Sequence, residues 1–305
     1  MPAITGFMHA NVNCTDLVRA RAFYEDALGL VVSAHTKPDA PQPGAAFGLD
    51  GDALWDAYVL DDPRGMGVAA SLDLLRWERP APCGAPPGFA PAPGIHRTVY
   101  AVPSLDAATA RLAAAGRGAL PAATVRRGDG DLRVAWALDP DGSAIELIED
   151  PACAERVQAC GVAIVCRDLA RSVAWYERVL GLTVTARESG ATGPGASFGA
   201  VGEARWDAAV LELPQRPAHY ALRLEQWHAP ALVERPRAVA NQLGPFRVAF
   251  LVDDAQAWHA ELARRGVACT APPAWLDMGP EIPLDGLWAL FFFDPDGACV
   301  EMIQV

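Results

Sequence analysis

"TDLVRARAFYEDALGL", Thr15–Leu30, returns as "RDLARSVAWYERVLGL", Arg167–Leu182. Reading outward from this pair, further stretches return in the same order. "FGLDGDALWDAYVL" (Phe47–Leu60) matches "FGAVGEARWDAAVL" (Phe198–Leu211), and "RTVYAVPSLDAATARLAAAG" (Arg97–Gly116) matches "RVAFLVDDAQAWHAELARRG" (Arg247–Gly266). "DPDGSAIELIED" closes the first half at Asp139–Asp150, and "DPDGACVEMIQV" closes the second at Asp294–Val305. The offset stays between 150 and 155 residues, so the whole chain is one duplicated unit.

Each unit divides again. Alternating strands near Phe7–Cys14, Arg97–Val102, Gly161–Cys166 and Arg247–Val252 lead into amphipathic helices. Thr15 or Asp16, Ser104, and Asp253 or Asp254 stand where N-caps belong, and Gly29, Gly116, Gly181 and Gly266 where helices stop. Three strand-like runs follow each helix. The order is strand, helix, three strands, four times over, with modules at about 6–78, 95–149, 160–227 and 245–304. The Pro-rich stretches Arg79–Gly94 and His228–Pro245 link modules inside each half, and Asp150–Ala159 joins the halves. The expected domains are 1–150 and 151–305.

The 305 residues are 51% hydrophobic and 20% charged, a composition that can bury a full core. A net charge of −12 argues against nucleic acid or anionic membranes as partners. No apolar run approaches the roughly 20 residues of a membrane span. The N-terminal stretch lacks the pattern of an export signal. The seven cysteines are odd in number and scattered, which suits reduced thiols in a cytoplasmic protein. Lys37 is the single lysine, and Ala, Gly, Pro and Arg abound, as in proteins coded by GC-rich bacterial genomes.

The helix stretches together with "DPDGSAIEL" and "DPDGACVEM" resemble the vicinal oxygen chelate superfamily of glyoxalases, extradiol dioxygenases, fosfomycin-resistance enzymes and bleomycin-binding proteins. The resemblance covers nearly the whole chain. It implies an α+β fold in which four βαβββ modules pair into two pseudo-symmetric glyoxalase-like domains, each a concave mixed sheet around a cleft. It also implies that any metal is held by side chains from the first and last strands of the modules, commonly His and Glu.

At those positions the first half carries His9, Asp73, Arg97 and Glu146, and the second Gly161, Arg223, Arg247 and Glu301. His9, Asp73 and Glu146 are competent ligands. Arg97 would add a permanent charge beside them. Pairing Arg97 with Glu146 or Asp73 lets the guanidinium replace the cation, and the second half repeats the Arg/Glu pair. The expectation is no metal and no cofactor. Glu146 and Glu301 then serve as salt-bridge partners, while Ile145, Leu147, Val300 and Met302 pack under the helices.

Strand alternation adds Asn11 and Asn13 to the cleft face of the first half, either orienting a ligand or bonding to the backbone or to each other. It adds Trp77 there, and Glu225 and Trp227 beside Arg223. Trp55 and Trp206 fit either ring stacking on a flat ligand or core packing. His96 points away from the cleft unless a bulge intervenes. His35, His219 and His228 have no assigned partner.

Two functions fit. One is an enzyme of small-molecule metabolism with lyase or isomerase chemistry, using His9 as general base or weak metal ligand. Dioxygenase chemistry fits less well. The other is a binder like the bleomycin-resistance proteins, whose arginines meet an anionic or carbonyl group while tryptophans stack on the rest. The asymmetry between His9, Asn11, Asn13 and Asp73 in one half and Gly161, Ala163, Val165 and Arg223 in the other favours the enzyme. The partner is a small molecule, and the chain is a monomer or homodimer.

Overall fold

The computed structural model describes residues 2–127, 130–216 and 220–305. Each module starts as its sequence predicts. The Asp16 carboxylate accepts from the Arg19 N–H at 3.0 Å and caps α1 (Leu17–Ala22), which continues as a π-helical turn, Phe23–Leu28, to Gly29. Ser104, Asp168 and Asp254 cap α2 (Leu105–Ala114), α3 (Leu169–Leu180) and α4 (Ala255–Arg264) in the same way. Each cap satisfies an N–H that the first helical turn leaves free, worth about 1 kcal/mol.

The first module supplies β1 (Ile4–Asn13), β2 (Val31–Thr36), β3 (Gln42–Pro43), β4 (Asp52–Asp61) and β5 (Ser71–Arg79). The second supplies β6 (Gly94–Val102), β7 (Ala123–Arg127), β8 (Gly130–Leu138) and β9 (Ala144–Glu149). The third supplies β10 (Gln158–Val165), β11 (Thr183–Pro194), β12 (Glu203–Glu212) and β13 (Ala221–Ala229). The fourth supplies β14 (Gly244–Val252), β15 (Ala274–Asp277), β16 (Gly286–Phe293) and β17 (Cys299–Gln304).

The α+β architecture of four modules in two curled mixed sheets is as expected, but their partnership is not. Sheet one runs β15-β16-β17-β14-β1-β5-β4-β2, with β3 on β4, and so joins the first and fourth modules. Sheet two runs β11-β12-β13-β10-β6-β9-β8-β7 and joins the second and third. The expectation that residues 1–150 close one cleft and 151–305 the other is thereby corrected. Connection length gives the reason. Residues 150–157 are a short link that keeps β10 beside β6 in the sheet that β9 already shares. Residues 80–93 and 230–243 are longer and carry the chain between sheets. These two linkers run together: Cys83 N–H donates to Asn241 O and Leu243 N–H to Cys83 O, both at 2.9 Å.

One large core joins the helices to the helix-bearing faces of both sheets. Phe23, Tyr24, Trp175 and Tyr176 lie in it with Ile145, Leu147, Val300 and Met302, as expected. Each such side chain contributes about 1.5–3 kcal/mol by leaving water. Separate apolar clusters fill much of each concave face. All seven cysteines are unpaired. Among the described residues no helix is long and apolar enough to cross a membrane.

Candidate functional site

Sheet one brings together the first strand of the chain and the last. His9 on β1 lies opposite Ala249 of β14, and Ala249 lies beside Glu301 of β17. His9 Nε2 is 3.0 Å from Glu301 Oε2 and 3.8 Å from Asp73 Oδ2. Arg247 on β14 ties the two carboxylates together, with Nε donating to Glu301 Oε2 and Nη2 to Asp73 Oδ2, both at 2.7 Å. All four residues are at least nine-tenths buried. Burial pushes the Glu301 carboxyl up, but Arg247 and His9 outweigh it and hold the group below the usual carboxylate range. A carboxylate can only accept, so His9 Nε2 carries the hydrogen that meets Glu301. In a neutral ring that tautomer leaves the lone pair on Nδ1.

Above this floor lies a cavity of about 560 Å³. Its walls are apolar, with Phe47, Trp55, Leu251, Leu276 and Leu287 among them. Met278, Glu281, Ile282, Pro283 and Leu284 come from the segment between β15 and β16 and roof it. The roof is tied to the opposite rim: Lys37 N–H donates to Met278 O at 3.0 Å, and His35 Nδ1 is 2.8 Å from Glu281. Gly279 makes this close crossing possible, since a Cβ there would lie 2.0 Å from Lys37 O.

Sheet two carries the matched positions and is sealed. Arg97 Nε donates to Glu146 at 2.7 Å, while Nη1 and Nη2 grip both oxygens of Glu225 at 2.9 and 2.6 Å. Arg223 donates to Glu225 at 2.7 Å and grips Glu188 with both terminal nitrogens at 2.6 Å. Arg127 reaches the other oxygen of Glu146. Arg97 also stacks 4.3 Å over Trp136, and Trp206 stacks on Trp227 at 5.1 Å. Three arginines thus neutralise three glutamates under packed rings. A β-bulge at His96 places it against Trp136, its Nε2 donating to Ala90 O at 3.0 Å. Burial, with Arg97 beside it, pushes this imidazole down to about 4.

The matched positions explain why one face is open and the other full. Thr36 in sheet one stands where sheet two has Glu188, Asp73 where it has Arg223, and Leu75 where it has Glu225. The long, paired side chains fill the second cleft. Gly161 holds the place of His9, and a Cβ there would lie 2.2 Å from Ala221 O.

The expected set His9, Asp73, Arg97 and Glu146 is therefore not one site. His9 and Asp73 meet Arg247 and Glu301, while Arg97 and Glu146 meet Arg223, Glu225 and Trp227 in the other sheet. The pairing of each arginine with the glutamate of its own half holds, as expected. Trp55 lines the cavity. Trp77 lies beneath it, donating to Asn13 Oδ1 at 3.2 Å. Asn13 also donates to Ala240 O and Gln242 O at 2.7 Å, and Asn11 donates to Asp73. Both asparagines bond to backbone carbonyls, Asn11 to that of Asp73 and Asn13 to those of Ala240 and Gln242, as the second alternative has it. His35 bonds Asp56 and Glu281, and His228 bonds Asp207. His219 lies outside the described residues. Sequence reading missed the roof, Thr36, Glu188 and Arg127. The matched Thr36 and Glu188 were its one available signal.

A divalent cation needs about three protein donors converging on one point. The expected alternative set of His9, Asp73 and Glu146 is split between sheets. In sheet one, Arg247 stands between the two carboxylates. Among the described residues no group of three or more His, Cys, Asp or Glu is placed to hold a metal ion. The residues present do not fit one.

A sequence model of the glyoxalase/bleomycin resistance protein/dioxygenase superfamily matches residues 6–147 and again 160–302. No curated protein matches the chain by sequence. Glyoxalase I from Zea mays superposes with a TM-score of 0.65 at 18% identity, covering 98% of this chain and 92% of that one. A putative dioxygenase from Bacillus subtilis subsp. subtilis str. 168 superposes at 0.62 with 14% identity, covering 100% of this chain and 86% of that one. At such identities the likeness is one of fold. With both halves matched by the family pattern and both sheets built from its modules, the chain belongs to the glyoxalase/bleomycin resistance protein/dioxygenase superfamily.

Proposed function

We propose that the chain is a metal-independent enzyme of lyase or isomerase type, acting on a small, mainly apolar molecule in the cleft of sheet one. The observation that carries this reading is the distribution of polarity. The cavity has apolar walls, and apart from Glu281 on the roof its ionisable lining groups are gathered on the floor. There His9, fixed by Glu301, offers Nδ1 as a base. A positioned imidazole of this kind contributes about 10²–10⁴-fold to proton transfer. Arg247 supplies positive charge where a metal enzyme of this fold would place its cation. Oxygen chemistry at iron fits poorly beside that guanidinium. Seven unpaired cysteines support a cytoplasmic setting. Both sheets are complete within one chain, which supports a monomer or a homodimer of complete sites.

The second reading is a metal-free binder that sequesters a drug or metabolite. The segment between β15 and β16 favours it, because Met278, Ile282, Pro283 and Leu284 add apolar lining to the cavity. One experiment separates the two. EDTA-treated protein in D₂O is screened against small apolar amines, ketones and alcohols, and deuterium uptake is followed by NMR. The enzyme reading expects exchange into a bound compound. His9→Ala should lower exchange at least 10²-fold and change affinity less than about threefold. Binding without exchange supports the binder. Activity that EDTA abolishes and a divalent metal restores defeats the metal-independent reading.

A further inference from the structure

The floor of the cleft has unspent hydrogen-bonding capacity of one kind. Glu301 Oε2 accepts from both Arg247 and His9, and Asp73 Oδ2 accepts from both Arg247 and Asn11. Glu301 Oε1 and Asp73 Oδ1 have no protein donor among the described residues. Both side chains are more than nine-tenths buried and both line the cavity. They lie close together, since His9 Nε2 is within 3.8 Å of an oxygen of each.

Arg247 cannot serve an anionic ligand. Its Nε and Nη2 are committed to the two carboxylates, and its Nη1 is buried away from the open space. On the floor two carboxylates share one guanidinium. Glu281 adds a carboxylate to the roof, facing His35 at the rim. A carboxylate or phosphate placed against Asp73 and Glu301 would meet two buried acceptors, an arrangement that low polarity penalises. An ammonium would find two open acceptors.

We propose that this cleft selects a ligand with an ammonium group on an otherwise apolar body, the ammonium donating to Asp73 Oδ1 and Glu301 Oε1. The proposal rests on reading the cleft as a small-molecule site and narrows its substrate to amines. It reverses the expectation that the arginines meet an anionic group. The net charge of −12 adds a long-range attraction for such cations.

Three probes share one body and differ in the head: 3-phenylpropylamine, 3-phenylpropan-1-ol and 3-phenylpropanoate. Calorimetric titration of the whole protein near neutral pH should give the amine at least tenfold tighter binding than the alcohol, with the acid weakest. Ala34→Trp, which fills the cavity from an edge strand, should weaken the amine and the alcohol alike. Asp73→Asn should erase most of the amine's advantage while the alcohol still binds. The wild-type ranking decides the matter even if that variant fails to fold. Equal binding of all three probes, or tighter binding of the acid, overturns the amine preference and leaves the small-molecule site standing. Failure of all three, or binding that Ala34→Trp does not weaken, overturns both.

Discussion

Arg247 and Arg97 hold matched places, and both are tied into buried salt bridges. Each is buried, and each answers more than one carboxylate. Removing such a cation strands its partners in low polarity, which costs about 3–5 kcal/mol. Arg247→Met is expected to lower stability by that amount, read from urea midpoints. Adding Glu301→Gln should recover part of the loss, because one stranded charge is gone. Simple addition of the two losses would show that the pair does not interact. The same groups set the acid response. Burial pushes Glu146, Glu225 and Glu301 up, and the neighbouring arginines outweigh it, so all three sit below their ordinary 4.5. The stability they contribute is complete above 4.5 and is lost as pH falls through their lower folded values. Melting curves should show the wild type losing stability below about pH 4.5, and a flat response there would contradict the assignment.

At the scale of the element, the doubled ending "DPDG" is a staple between turn and helix. Asp139 Oδ1 accepts from the N–H groups of Asp141 and Ser143 at 2.9 and 2.7 Å, and Oδ2 accepts from the Tyr24 hydroxyl at 3.1 Å. Asp294 repeats this with Asp296, Ala298 and Tyr176 at 2.9, 2.7 and 3.0 Å. The tyrosine of each helix stretch and the first aspartate of each ending thus specify one another. Asp139→Ala should cost about 3 kcal/mol and Tyr24→Phe about 1, because the first strands one buried and one half-buried backbone donor and the second removes one bond. Equal losses in chemical denaturation would count against this division. Burial also pushes Asp294 up to about 6. Its sign is therefore opposite to that of the glutamates: its contribution is full below 3.8 and is lost as pH rises through about 6.

At the scale of the molecule, neither half completes a sheet. Residues 1–150 contain β1 without β14 and β6 without β10, so each fragment would expose a long, apolar strand edge. Separately expressed halves cut within 150–157 are expected to aggregate or unfold without cooperativity. Mixed together, they should recover a single cooperative transition in circular dichroism. Independent cooperative folding of either half would overturn the crossed pairing.

The helices, their caps, the Pro-rich links and the fourfold module were legible because each follows from near neighbours: a carboxylate three residues from a free N–H, or alternation along one strand. The pairing of Arg97 with Glu146 was legible for the same reason, as both belong to one module. The sequence by itself therefore determined the module, its repetition and the Arg/Glu pair within each cleft. Which modules share a sheet was decided only in three dimensions. Every module offers the same kind of first strand, and hydrogen-bonded edges carry no address. The choice fell to the short 150–157 link and the long linkers around it. That choice put His9 beside Glu301 rather than Glu146. It also set Thr36, Asp73 and Leu75 on one concave face and interlocked Arg and Glu on the other, so the contrast between the two clefts is a product of the tertiary structure.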